Sequence, residues 1–112
     1  MKTIAFFNNK GGVGKTTLVN HVAWMFRNLG LKVVLFDLDP QANLTSSFLE
    51  DDEIEPLLEA EPPLTILGAV RPLRDRLGDV GPSHVHEVAP RLWLIPGDPG
   101  LSDFEDRLSD GW

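Results

Sequence analysis

Eight consecutive residues, Lys10-Gly11-Gly12-Val13-Gly14-Lys15-Thr16-Thr17, constrain this chain more than any other stretch. Before them comes a compact apolar run, Thr3 to Phe7, closed by the Asn8-Asn9 turn signal. After them Leu18, Val22, Phe26 and Leu29 recur at helical spacing as far as Gly30, the usual stop. The pattern predicts a strand over 2–7, a glycine loop, and a helix that opens at Lys15. Gly11, Gly12 and Gly14 tolerate unusual dihedrals and let the main chain approach closely, so that backbone N–H groups can converge on an anion. The positive end of the helix dipole faces the same point. Lys15 can then reach the β and γ oxygens of a bound polyphosphate, the Thr16 hydroxyl can ligate Mg²⁺, and Thr17 is placed to hold the α-phosphate.

The order departs from the standard G-x-x-x-x-G-K-[ST] loop, because Asn9 stands where the first glycine belongs and an extra lysine, Lys10, precedes the glycine pair. A dinucleotide fingerprint is excluded, since its third glycine would have to replace Thr17. A plain glycine turn leaves two lysines and two threonines in this order unexplained. Downstream, 32–36 (KVVLF) is a continuous apolar run that predicts a strand buried on both faces, and it leads into Asp37. Strand, loop, helix and strand together imply an α/β fold with a parallel sheet flanked by helices and a right-handed crossover. Both loops then open on one sheet edge, which brings Asp37 and Asp39 beside the glycine loop.

The remainder is less explicit. Through Glu50 five basic residues face three acidic ones, whereas from Asp51 onward five face fourteen, giving a net charge of −7 over 112 residues. Nonspecific nucleic-acid binding needs a basic surface, which this chain does not supply overall. Asp51 to Glu61 holds six carboxylates without a basic residue between them and reads as a solvated, mobile stretch. A helix is expected over 44–49, helical spacing broken by Pro72 over 64–77, strand-like pieces at 85–88 and 91–95 around Pro90, and a helix over 102–108. His84 and His86 share a strand face without a third ligand nearby in sequence, and Arg71, Arg74 and Arg76 read as a solvated helix face. The absence of cysteine excludes disulfides and thiolate metal sites. The apolar runs are too short for a transmembrane helix and the start lacks a signal-peptide pattern, so the cytoplasm is the expected location and no membrane partner is indicated.

FFNNKGGVGKTT followed by VVLFDLDPQANLT resembles the ParA/Soj partitioning ATPases of the ParA/MinD superfamily, whose phosphate loop is the deviant Walker A form with the extra lysine. In that family Asn9 corresponds to a usual glutamine and Ala42 to a usual glycine. The stretch 91–98 with 101–112 resembles the family's next strand and helix, so the similarity covers the chain around a variable acidic segment at about 50–63.

The resemblance implies a P-loop NTPase fold, with residues 1–112 as the N-terminal portion of a single ATPase domain. It implies binding of ATP and Mg²⁺ by Lys10, Gly11, Gly12, Val13, Gly14, Lys15, Thr16 and Thr17. The catalytic set it implies is Lys10, Lys15 and Asp39, with Lys10 reaching the phosphates held by a second subunit and Asp39 orienting the attacking water. Thr16 and Asp37 would stand at the metal, Asp37 through its water shell. The same resemblance implies an ATP-dependent homodimer, a centromere-binding partner protein, and nonspecific DNA contacts through regions beyond this chain, in plasmid or chromosome segregation. The alternatives are a nucleotide-dependent switch or scaffold without significant hydrolysis, and a membrane-associated cell-division positioning ATPase. The family fold also places a further strand between the two N-terminal strands, and none follows 92–95, so an N-terminal part of a longer protein is expected, with unpaired groups on the sheet.

Overall fold

The computed structural model describes residues 1–6, 14–76 and 78–111. Its elements are α1 (Lys15–Asn28), β1 (Val33–Phe36), α2 (Asn43–Phe48), α3 (Asp51–Glu59), α4 (Ile66–Arg74), β2 (His86–Ala89), β3 (Leu92–Ile95) and α5 (Leu101–Gly111). Among the described residues the sheet has three strands in the order β1-β3-β2. β1 and β3 run parallel, with Val33 opposite Leu92 and Phe36 opposite Ile95. β2 and β3 form an antiparallel hairpin, irregular between Glu87 and Ala89. The sheet is therefore mixed rather than purely parallel, because the Pro90 turn returns the chain directly along its neighbour.

Leu94 and Ile95 are successive strand residues and so point to opposite faces of the sheet. Buried Leu35, Leu92 and Leu94 pack with Ala23, Leu44, Leu49 and Leu57, from α1 and the α2–α3 region. Ile95 packs instead with Ile66, Ala69 and Leu101, from α4 and the start of α5. Helices thus flank both faces, and β3 lies between the two cores. Helix α1 ends as its sequence predicts. Gly30 adopts φ 90°, while the Gly30 and Leu31 N–H groups donate to the carbonyls of Arg27 and Phe26, closing the last turn.

Four further expectations change. Residues 1–6 form no strand and are exposed apart from half-buried Phe6; the free edge of β1 has no ladder partner among the described residues. β1 is buried on one face only, leaving Val34 and Phe36 47% and 55% exposed, because the helices that cover Ile95 do not extend across this edge strand. The acidic stretch is helical: Glu50 and Glu53 form a reciprocal capping box, three acids sit in the favourable first turn of α3, and Leu57 enters the core. Pro72 lies inside α4 instead of ending it there, and the helix stops two residues later at Arg74.

Candidate functional site

The site is assembled where α1 begins and β1 ends. Gly14 precedes α1 in the left-handed region at φ 82°, supplies no side-chain cap, and is followed by a first turn without an acidic residue. The first intrahelical bond runs from the Leu18 N–H to the Gly14 carbonyl at 2.9 Å. The N–H groups of Lys15, Thr16 and Thr17 therefore lie ahead of the helical ladder, at the positive end of a fourteen-residue helix. Together with the Lys15 ammonium and the Thr16 hydroxyl they form a donor set that suits a polyphosphate and a hard, oxygen-seeking cation. Lys10, Gly11, Gly12 and Val13 lie outside the described residues.

Beyond β1 the chain turns back toward that helix end. Asp39 places its Oδ2 3.6 Å from Lys15 Nζ, with both side chains 30% exposed. Its Oδ1 accepts the Gln41 N–H at 2.9 Å, and its carbonyl accepts the Ala42 N–H at 2.8 Å. This local turn fixes the carboxylate toward the lysine. The structure thus brings together Lys15 and Asp39, two residues 24 positions apart in sequence.

Asp37 has a different environment. It is 2% exposed, its Oδ1 accepts the Asp39 N–H at 3.2 Å, and its Oδ2 accepts both the N–H and the hydroxyl of Thr45, at 2.8 and 2.6 Å. Thr45 Oγ1 in turn accepts the Gly97 N–H at 2.8 Å. The β1 end, the first turn of α2 and the loop after β3 are thereby joined through one hydroxyl. No hydrogen bond joins Asp37 to Thr16. A similar pair stands nearby: Thr65, just ahead of α4, donates to Asp98 Oδ2 at 2.7 Å. Sequence reasoning passed over Thr45, Gly97, Thr65 and Asp98. The available signals were a threonine eight residues beyond a strand-end aspartate and a Pro-Gly-Asp run directly after a strand.

His84 and His86 stand with ring centroids 6.3 Å apart, and among the described residues no three His, Cys, Asp or Glu side chains converge as a metal cluster. Arg71 is paired with Glu61 and Asp75. No helix among the described residues is long and apolar enough to cross a membrane.

The family model described as AAA domain, AAA_31, matches residues 1–110. Protein IncC of Escherichia coli is 54% identical over 97% of this chain and 28% of its own length. The chromosome-partitioning ATPase Soj of Thermus thermophilus is 43% identical over 65% of this chain and 29% of its own length. The chain belongs to the ParA/Soj family. Among solved structures, protein DIP2308 of Corynebacterium diphtheriae is similar, with a TM-score of 0.86 and 36% identity over 100% of this chain and 41% of that one. The pNOB8 ParA bound to nonspecific DNA gives a TM-score of 0.62 and 28% identity, over 88% of this chain and 34% of that one. These relations assign the P-loop NTPase fold. The chain spans little more than a quarter of the length of the IncC and Soj relatives.

Proposed function

We propose that this chain supplies the phosphate-binding part of a Mg²⁺-ATP-dependent partitioning ATPase that acts in plasmid or chromosome segregation. The observation that carries this reading is the meeting of Lys15 and Asp39 at the uncapped start of α1. In it the N–H groups at the start of α1 bind phosphate oxygens, with Gly11, Gly12, Val13 and Gly14 completing the cradle. Lys15 holds the β and γ oxygens, and Thr17 the α-phosphate. The Thr16 hydroxyl would hold Mg²⁺, with Asp37 reaching it through water, and the ion would neutralise charge that develops on the phosphates. Asp39 orients the attacking water. Phosphoryl transfer asks mainly for positioning and electrostatics, which such groups provide.

Lys10 extends the reading to a homodimer formed on ATP binding, in which it reaches the phosphates held by the partner. A centromere-binding protein and nonspecific DNA complete the proposed partners; the solved DNA complex of pNOB8 ParA supports the second. The domain reading, 1–112 as the N-terminal portion of one ATPase domain in the cytoplasm, belongs to the same proposal.

The test is calorimetric Mg²⁺-ATP binding and phosphate release by the full-length protein. Asp39→Ala should retain binding and lose turnover roughly a hundredfold or more. Binding without turnover in the unaltered protein would establish the switch or scaffold reading in its place.

A further inference from the structure

Asp37 and Gly97 meet at one side chain that the functional reading leaves without a task, and Asp39 is joined to it through Asp37. The Thr45 hydroxyl is fully buried. It has one proton, donated to Asp37 Oδ2 at 2.6 Å, and it accepts the Gly97 N–H at 2.8 Å. The polarity of this chain is fixed: Gly97 donates to Thr45, Thr45 to Asp37, and Asp37 Oδ1 accepts the backbone N–H of Asp39 at 3.2 Å. Asp39 stands at the end of the relay and carries the carboxylate 3.6 Å from Lys15. Its main chain is thus held from behind by Asp37, whose own orientation is set by two bonds from Thr45.

Packing leaves the latch little slack. A Cβ at Gly97 would lie 2.8 Å from Asp37 Cγ and 3.2 Å from the Ala42 Cβ, so the loop after β3 presses directly on the carboxylate. Buried polar atoms of the described side chains all have partners. Removing the Thr45 hydroxyl would therefore leave the Gly97 N–H without its acceptor and Asp37 Oδ2 without one of its two donors.

We infer that Thr45 is a positioning residue for Asp39, coupling the loop after β3 to the carboxylate that orients the attacking water. The inference rests on the hydrolytic reading above. Thr45 touches neither nucleotide phosphate nor water in this scheme; it acts through Asp37 and the Asp39 backbone.

The test is steady-state kinetics of the full-length protein with Thr45→Val and Thr45→Ser, alongside amide hydrogen exchange at Asp39 and Gly97. Thr45→Val should lower kcat about tenfold to a hundredfold, the scale expected when a reacting group is misplaced by a fraction of an ångström to an ångström. KM for Mg²⁺-ATP should move less than kcat, because Thr45 bonds no phosphate-binding residue and the second bond to Asp37 Oδ2, from the residue 45 N–H, is kept in Thr45→Val. Thr45→Ser, which keeps the hydroxyl, should restore kcat, an outcome that a simple loss of fold stability does not produce. Normal kcat in Thr45→Val overturns the positioning role while the hydrolytic reading stands. An unaltered protein that binds Mg²⁺-ATP without turnover overturns both. If Thr45→Val does not fold, the unaltered protein still decides: a Gly97 amide that exchanges as fast as an open loop removes the latch and the inference with it.

Discussion

Lys15 Nζ lies 3.6 Å from Asp39 Oδ2, so the cation at the start of α1 and the acid after β1 are already paired before any phosphate is considered. In the proposed reaction these groups separate in purpose: the lysine turns to phosphate oxygens and the aspartate to water. Each phosphate ligand therefore competes with the carboxylate for the lysine.

The competition predicts opposite effects for the two substitutions. Asp39→Ala frees Lys15 and should tighten Mg²⁺-ATP binding by about two- to fivefold, the range for a partly exposed ion pair. Lys15→Gln loses a charge-assisted phosphate contact and should weaken it by roughly tenfold to a hundredfold. Calorimetry on the full-length protein measures both, and equal affinity for all three proteins would refute the competition.

Gly97 is held at its size by Asp37. A methyl placed there meets Asp37 Cγ at 2.8 Å and the Ala42 side chain at 3.2 Å. Gly97→Ala should destabilise the fold by about 1–3 kcal/mol through overpacking. Chemical denaturation would show this as a lower midpoint with an unchanged slope.

Ala42 occupies the left-handed region at φ 54° just ahead of α2. A Cβ there costs about 1–2 kcal/mol, partly offset by the smaller backbone entropy that alanine loses on folding. Ala42→Gly should stabilise by about 0.5–1 kcal/mol, seen as a rise in Tm. A fall in Tm would mean that contacts of the Ala42 methyl outweigh the backbone term.

Leu94 and Val34 are opposite one another's neighbours across the β1–β3 pair but differ in burial, 0% against 47% exposed. Leu94→Ala should cost about 2–5 kcal/mol, the range for emptying a core leucine site. Val34→Ala should stay within roughly 1 kcal/mol, because little packing surrounds it. Parallel denaturant titrations would test the contrast, and similar losses would show that the exposed face of β1 is covered in solution.

The sequence by itself determined the local elements with strong signals. The helix from Lys15 to its glycine stop, the strand at 33–36, the hairpin around Pro90 and the short helix after Asn43 all depend on periodicity and turn chemistry that neighbouring residues carry. It also brought the acids after the strand at 33–36 toward the start of the helix at Lys15, where Asp39 is found 3.6 Å from the lysine. Tertiary structure decided the rest. Whether 1–6 pairs as a strand, and whether both faces of β1 are covered, depends on which surfaces come to lie beside them. Composition concealed α3 because its capping box and first-turn charges stabilise the acids that had suggested a solvated loop. The division of labour between two aspartates two residues apart was decided in the same way. Asp39 faces Lys15 at the surface, whereas Asp37 is buried against Thr45 and Gly97, because those partners are brought in from 8 and 60 residues away. No local pattern encodes contacts made at such separations; they exist only once the strands have set the ends of their loops together.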